Sequence, residues 1–229
     1  MWVPIMKKTL SAIIIFLTFT VFSVDMKSVH MVELDNHRFD KPLISHGKPS
    51  TKLLNEVALY KPLTEKLIFG YLPYWNNSTD HLRYGLLTDI LYFSCELSTA
   101  GSLGDCRDWP ESAPIDEAHK YGVRVHLVIT GFDGTTVQNL VENSVDKNTF
   151  FKNCWDKVND AGADGINIDF EAFADTKTAD LIKFFNDLGT YFHSRNPEMI
   201  VSAALPAVDW SNRWDIASMT GLDHAFLML

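Results

Sequence analysis

Positive charge is in short supply. Against 29 Asp and Glu stand 20 Lys and Arg, for a formal net charge of −9. No basic run exceeds the pair Lys7-Lys8. Binding a phosphate backbone requires a positive surface, so nucleic acid is not expected as a partner. Cysteine is scarce as well. Cys95, Cys106 and Cys154 are too few for a disulfide framework, and no CxxC or HxxxH spacing offers a structural zinc site. In an oxidising compartment Cys95 and Cys106 can close a loop over the Gly-rich segment between them; three buried thiols are the equal alternative. The apolar stretch 10–24 has 15 positions, short of the roughly 20 that a spanning helix needs. No Gly-rich phosphate turn follows the first strand-like segment, which weakens the commonest nucleotide-binding form of an open α/β sheet.

What is present is ordinary globular composition: 46% hydrophobic, 21% charged and 12% aromatic residues. Collagen-like and disordered chains are excluded. Met6-Lys7-Lys8 followed by the apolar stretch and small residues predicts a secretory signal over 1–24, with 1–5 as an upstream start. An uncleaved anchor is the alternative. Residues 25–64 are polar and mixed with no sustained period, and read as a linker or N-terminal extension. From 65 to 229 the texture changes to that of one domain. Apolar runs at 67–72, 89–93, 123–129, 165–170, 199–205 and 225–229 predict six strands. Between them lie helical patterns. Phe150, Phe151, Cys154, Trp155 and Val158 share one helical face, as do Leu181, Ile182, Phe184, Phe185, Leu188, Tyr191 and Phe192. Continuously apolar strands alternating with helices imply parallel pairing under helical cover. Six such units suit a (β/α)₈ TIM barrel that is incomplete, because a whole one needs ~250 residues. An open doubly wound sheet is the competing fold.

The fourth strand carries the chemistry. It reads Asp164-Gly165-Ile166-Asn167-Ile168-Asp169-Phe170-Glu171. Strand side chains alternate, so Ile166, Ile168 and Phe170 face the helices while Asn167, Asp169 and Glu171 point into the barrel. Two carboxylates there are costly to desolvate, and core packing alone does not select them. Like charges on one face raise one proton affinity, so one group can stay protonated at neutral pH. Glu171, nearest the C-terminal mouth, is placed as general acid. Asp169, one pleat deeper, raises that proton affinity and can accept a hydrogen bond from substrate. Asn167 can orient Asp169 without a third charge. Aromatic residues at strand ends suit sugar faces at a barrel mouth, with Tyr71, Trp75 and Phe132 as the expected contacts. Glu96, Asp133 and Asp209 follow other strands; each reads as a loop or rim residue, with a partner carboxylate on the opposite face of the sugar as the alternative. His119, His126, His193 and His224 have no partner spacing and read as structural.

The octapeptide 164–171 resembles the DxxDxDxE signature of family-18 glycoside hydrolases, the chitinase-like family, with three of four acids in place. The resemblance covers roughly 67–229. It implies that Glu171 protonates the glycosidic oxygen and that Asp169 holds the substrate's N-acetyl group as it attacks the anomeric carbon. Asn167 stands where many members carry Asp, a departure from the usual relay between two deep aspartates. Asn-Ile-Asp-Phe-Glu, with Val-Ile-Thr-Gly-Phe at 128–132, is more similar to the spore-cortex-lytic, peptidoglycan-acting branch. The family places a Met-x-Tyr-Asp motif on the sixth strand, whereas this sequence stops after Met228-Leu229. A C-terminally truncated chain is therefore expected.

Together these readings predict a secreted or cell-envelope hydrolase of β-1,4 bonds in N-acetylglucosamine polymers, chitin or peptidoglycan. It is expected to be a monomer, to need no cofactor or metal, and to meet no membrane beyond its signal. A non-hydrolytic, lectin-like carbohydrate-binding barrel, or an inactive fragment, is the rival.

Overall fold

The computed structural model describes residues 28–41, 66–77, 82–111, 113–172, 176–209 and 212–228. The expected signal over 1–24 and residues 42–65 lie outside the described residues. Six strands form one sheet: β1 Phe69–Pro73, β2 Asp89–Glu96, β3 Arg124–Gly131, β4 Gly165–Phe170, β5 Ile200–Pro206 and β6 His224–Met228. Their spatial order equals their chain order, and every neighbouring pair is parallel. A doubly wound sheet reverses direction at a switch point; this one never does. The result is a half-barrel with helices between strands, an incomplete (β/α)₈ barrel.

The helices are α1 Val29–His37, α2 Ile115–His119, α3 Gly134–Glu142, α4 Ser144–Asp160 and α5 Thr178–His193. Asp133 accepts from the Thr136 N–H and starts α3, and Asn143 accepts from the Val145 and Asp146 N–H groups and starts α4. The face of α4 buries Phe150, Phe151, Cys154 and Val158. That of α5 buries Leu181, Phe184, Phe185, Leu188, Gly189 and Phe192. Both faces follow the predicted period. Where α5 passes the loop before β6 the approach is so close that a methyl group on Gly189 would collide with the Gly221 carbonyl.

The outward face of β4 closes on these two helices. Phe170 meets Phe150 at 6.1 Å and Phe184 at 5.9 Å between ring centroids. Phe184 also contacts Phe151 and Phe185, so it sits at the centre of an aromatic cluster. At the N-terminal end of the strands, fully buried Asp89 accepts from Arg124 Nε at 2.7 Å and Nη2 at 3.0 Å, and pairs with His126 Nε2 at 2.8 Å. Desolvation pushes the Asp89 carboxyl up, but its His126 and Arg124 partners outweigh burial and hold it below the usual range.

Two clasps repeat along this floor. Asp164 Oδ2 accepts from the Val125 N–H and pairs with His119 on α2. Asp223 Oδ2 accepts from the Val201 N–H and pairs with His193 on α5. Each clasp joins a strand, the loop leading to the next strand and a helix end, which is a structural use of histidine.

Cys95 and Cys106 are joined as a disulfide, and Cys154 is a buried free thiol. The bridge settles the two readings in favour of the loop. Within it, Leu97 pairs with Leu103 and the Gly104 N–H donates to the Glu96 carbonyl.

One difference from the sequence reading concerns 25–64, where no element is predicted. Residues of α1 form a helix capped by Ser28, whose hydroxyl accepts from the Met31 N–H. Leu34 joins the main core with 2% of its surface exposed. Replacing the central ring of the aromatic cluster, Phe184→Ala, is expected to lower unfolding free energy by about 3–5 kcal/mol, read from urea denaturation.

Candidate active site

On β4 the predicted alternation holds. The polar face carries Asn167 and Asp169, both fully buried, and Glu171 follows directly after the strand. Register sets Asn167 beside Ser202 of β5 and Asp169 beside Thr130 of β3. Tyr71 of β1 crosses the half-barrel and its hydroxyl donates to Asn167 Oδ1 at 3.1 Å. The Asn167 amide nitrogen donates to Ser202 Oγ at 3.0 Å, and that hydroxyl donates to the Ile166 carbonyl at 3.2 Å. Asn167 is thereby fixed on both sides of its amide.

The acids face His30, a residue that no sequence signal marks. Its Nδ1 lies 2.9 Å from Asp169 Oδ2 and 3.4 Å from Glu171 Oε1. His30 belongs to α1, so the helix from the N-terminal extension reaches the C-terminal mouth of the strands. The imidazole sits between Tyr71, at 5.0 Å, and Phe93, at 5.5 Å. The hydrogen bond to Asp169 and then the nearby Glu171 carboxyl raise the His30 pKa from 6.5 to about 10, against the opposing effect of burial. The ring is a cation at neutral pH and donates to Asp169.

Glu171 has a raised proton affinity, first because its side chain is buried and further because the Asp169 charge adds to that; His30 pulls the other way. Asp169 Oδ1 and both Glu171 carboxyl oxygens are buried without a hydrogen-bond partner among the described residues. Buried lone pairs without a partner are unfavourable until a donor or a proton arrives. Tyr71 is held as a neutral phenol by burial and by the two carboxylates. The same three residues, His30, Asp169 and Glu171, present ligand atoms all within 4.8 Å of one another, close enough that they could converge on a cation. At 2.9 Å the His30–Asp169 pair is in direct hydrogen-bond contact, so a proton already occupies the line between them.

Of the expected sugar contacts, Tyr71 lies in the site. Trp75 lies beside it, edge-on to Phe93 at 5.9 Å, and its indole face is covered by the parallel ring of His37 at 4.5 Å. Phe132 is half-buried against the core, and no ring contact joins it to these residues among the described ones. Glu96 pairs with Arg107 at 2.6 Å and Arg38 at 3.6 Å. Asp133 caps α3, and Asp209 accepts from the Arg213 and Trp214 N–H groups. All three are loop and rim residues, as expected.

Comparison with known proteins gives one family match: the model described as Glycosyl hydrolases family 18 fits residues 67–229. No curated protein sequence matches the chain. Among solved structures, the chain is similar to a chitinase from Rhizomucor miehei, at 20% identity and TM-score 0.60, covering 71% of this chain and 56% of that one. It is similar to a chitinase from Bacteroides thetaiotaomicron at 15% identity and TM-score 0.59, covering 72% and 54%. The spore cortex-lytic enzyme SleL of Bacillus cereus matches at 19% identity and TM-score 0.57, covering 70% and 40%. The chain spans about half the length of these structures, and the likeness is one of fold.

The His30 ion pair has a definite pH signature. Its folded pKa exceeds the ordinary 6.5, so its hold on α1 is complete below pH 6.5 and is lost as pH rises through about 10. Asp169 and Glu171 on β4 and neutral Tyr71 on β1 face the ring, and Phe93 of β2 adds no charge. Amide exchange across 31–38, corrected for intrinsic rates, is expected to speed up at least about tenfold between pH 7 and 10. In His30→Ala the same interval should change it far less.

Proposed function

Because this chain belongs to the glycosyl hydrolases of family 18, we propose that it hydrolyses β-1,4 bonds in N-acetylglucosamine-containing polymers, with Glu171 as general acid. The observation that carries this is the shared face of β4: two neighbouring carboxyl groups directed into the half-barrel, the outer one with raised proton affinity. A general acid must hold its proton at working pH and release it to a leaving oxygen.

In this mechanism protonated Glu171 gives its proton to the glycosidic oxygen as the bond to the anomeric carbon breaks. The substrate's own 2-acetamido oxygen attacks that carbon and forms a cyclic oxazolinium ion. Asp169 accepts a hydrogen bond from the acetamide N–H and balances the positive charge. Water then attacks the anomeric carbon, giving its proton to the Glu171 carboxylate, and the ring opens with retained configuration. Supplying the nucleophile from substrate suits a strand that carries both acids on one side. A retaining enzyme with a protein nucleophile places two carboxyl groups about 5–5.5 Å apart across the sugar. Asn167 orients the deep end through Tyr71 and Ser202. Tyr71 and Trp75 offer ring faces to the sugar, as does Phe132 from the end of β3.

The polymer is chitin or the glycan of peptidoglycan, since both present the 2-acetamido group that the mechanism requires. Export is part of the proposal. It is supported by the basic and apolar pattern of 1–24 and by the Cys95–Cys106 disulfide, a bond that persists in oxidising compartments. Among the described residues no helix is long and apolar enough to cross a membrane.

Glu171→Gln in the full-length protein is expected to lower kcat on N-acetylglucosamine oligomers by about 10²–10⁴-fold while binding persists. Unchanged turnover would remove Glu171 from the acid role. Binding without turnover in the parent protein would instead favour a lectin-like barrel.

A further inference from the structure

We propose that α1 is an autoinhibitory plug: the N-terminal extension occupies the sugar-binding mouth of its own barrel and must leave before polymer can enter. This inference rests on the proposed glycan site.

The argument is one of exclusion. A general acid has to come within about 2.6–3.2 Å of the oxygen it protonates. The space in front of Glu171 and Asp169 is taken by the His30 ring, 3.4 Å and 2.9 Å away. The ring also lies against Tyr71 and Phe93, so it fills the pocket laterally. An imidazole and a sugar cannot share that volume.

A second sugar surface is covered by the same helix. About two turns along α1, His37 lies flat on Trp75, with planes 6° apart and centroids 4.5 Å apart. Stacking of this kind is what an apolar sugar face makes with an indole. His30 and His37 thus cover one expected chemical position and one expected platform with a single rigid element.

The helix is held by more than its two imidazoles. Leu34, on the side facing the barrel, is buried in the core. The Tyr74 hydroxyl donates to the His37 carbonyl at 2.5 Å, and Arg107 Nη1 donates to the Arg38 carbonyl at 3.1 Å. Arg38 also pairs with Glu96 at 3.6 Å. Tyr74 and Arg107 come from the loops after β1 and β2, and Glu96 ends β2, so all three belong to the wall of the mouth. Charge is matched as well: a cationic imidazole meets two carboxyl groups whose remaining oxygens have no donor among the described residues.

If the seated helix leaves the site open a tenth of the time or less, apparent glycan affinity falls at least about tenfold. Calorimetric titration of the full-length protein with an N-acetylglucosamine tetramer, alongside amide exchange across 31–38, tests the plug. Leu34→Asp and His30→Ala are each expected to tighten tetramer binding at least about tenfold, and saturating tetramer is expected to speed exchange across 31–38 in the parent. Equal affinity in parent and variants, with exchange indifferent to tetramer, overturns the plug and leaves the glycan reading standing. Absence of binding in the parent and in both variants overturns the glycan reading, and the plug falls with it.

Discussion

Two carboxyl groups on the inner face of a parallel strand set the terms for everything around them. Buried acid without a partner is unfavourable, and the protein meets that constraint in graded fashion along β4. At the deep position it uses a neutral amide, Asn167, with its oxygen and nitrogen both bonded. At the middle position Asp169 meets a cation. At the mouth, Glu171 answers burial by holding its proton more tightly. The strand therefore runs from a fully bonded amide, to a carboxyl group paired with His30, to one with raised proton affinity at the mouth.

Much of this was legible in the sequence because it depends on period. Alternation along 164–171 distinguishes inner from outer side chains whatever lies around the strand. The apolar recurrences of α4 and α5 identify the faces that now hold Phe150 and Phe184. Barrel winding was less legible. Parallel strands under helices are common to both candidate folds, and strand order, a tertiary property, separates them. The pairing of Cys95 with Cys106 likewise depended on how the loop after β2 returns on itself.

The N-terminal helix shows where such reading stops. Its one deeply buried side chain is Leu34, and a single anchor leaves no repeat to detect. His30 reaches the acids across a separation of 139 residues, with nothing local to mark it. Its role exists only in three dimensions. By contrast, Glu96, Asp133 and Asp209 were legible as rim residues, since a carboxylate just after a strand commonly finds a helix start, a loop N–H or a neighbouring guanidinium.

Asp164 has a consequence of its own. The first acid of the octapeptide does not approach the other two; it buckles the loop before β4 to the start of β3, through the Val125 N–H and His119. One short stretch thus spans the sheet from basement to rim, with masonry at one end and reactive groups at the other. Inserting a single residue midway would rotate the acids outward while stretching the buckle below. Geometry alone ties the length of this segment to both ends, so a changed side chain is absorbed locally while a changed count is not.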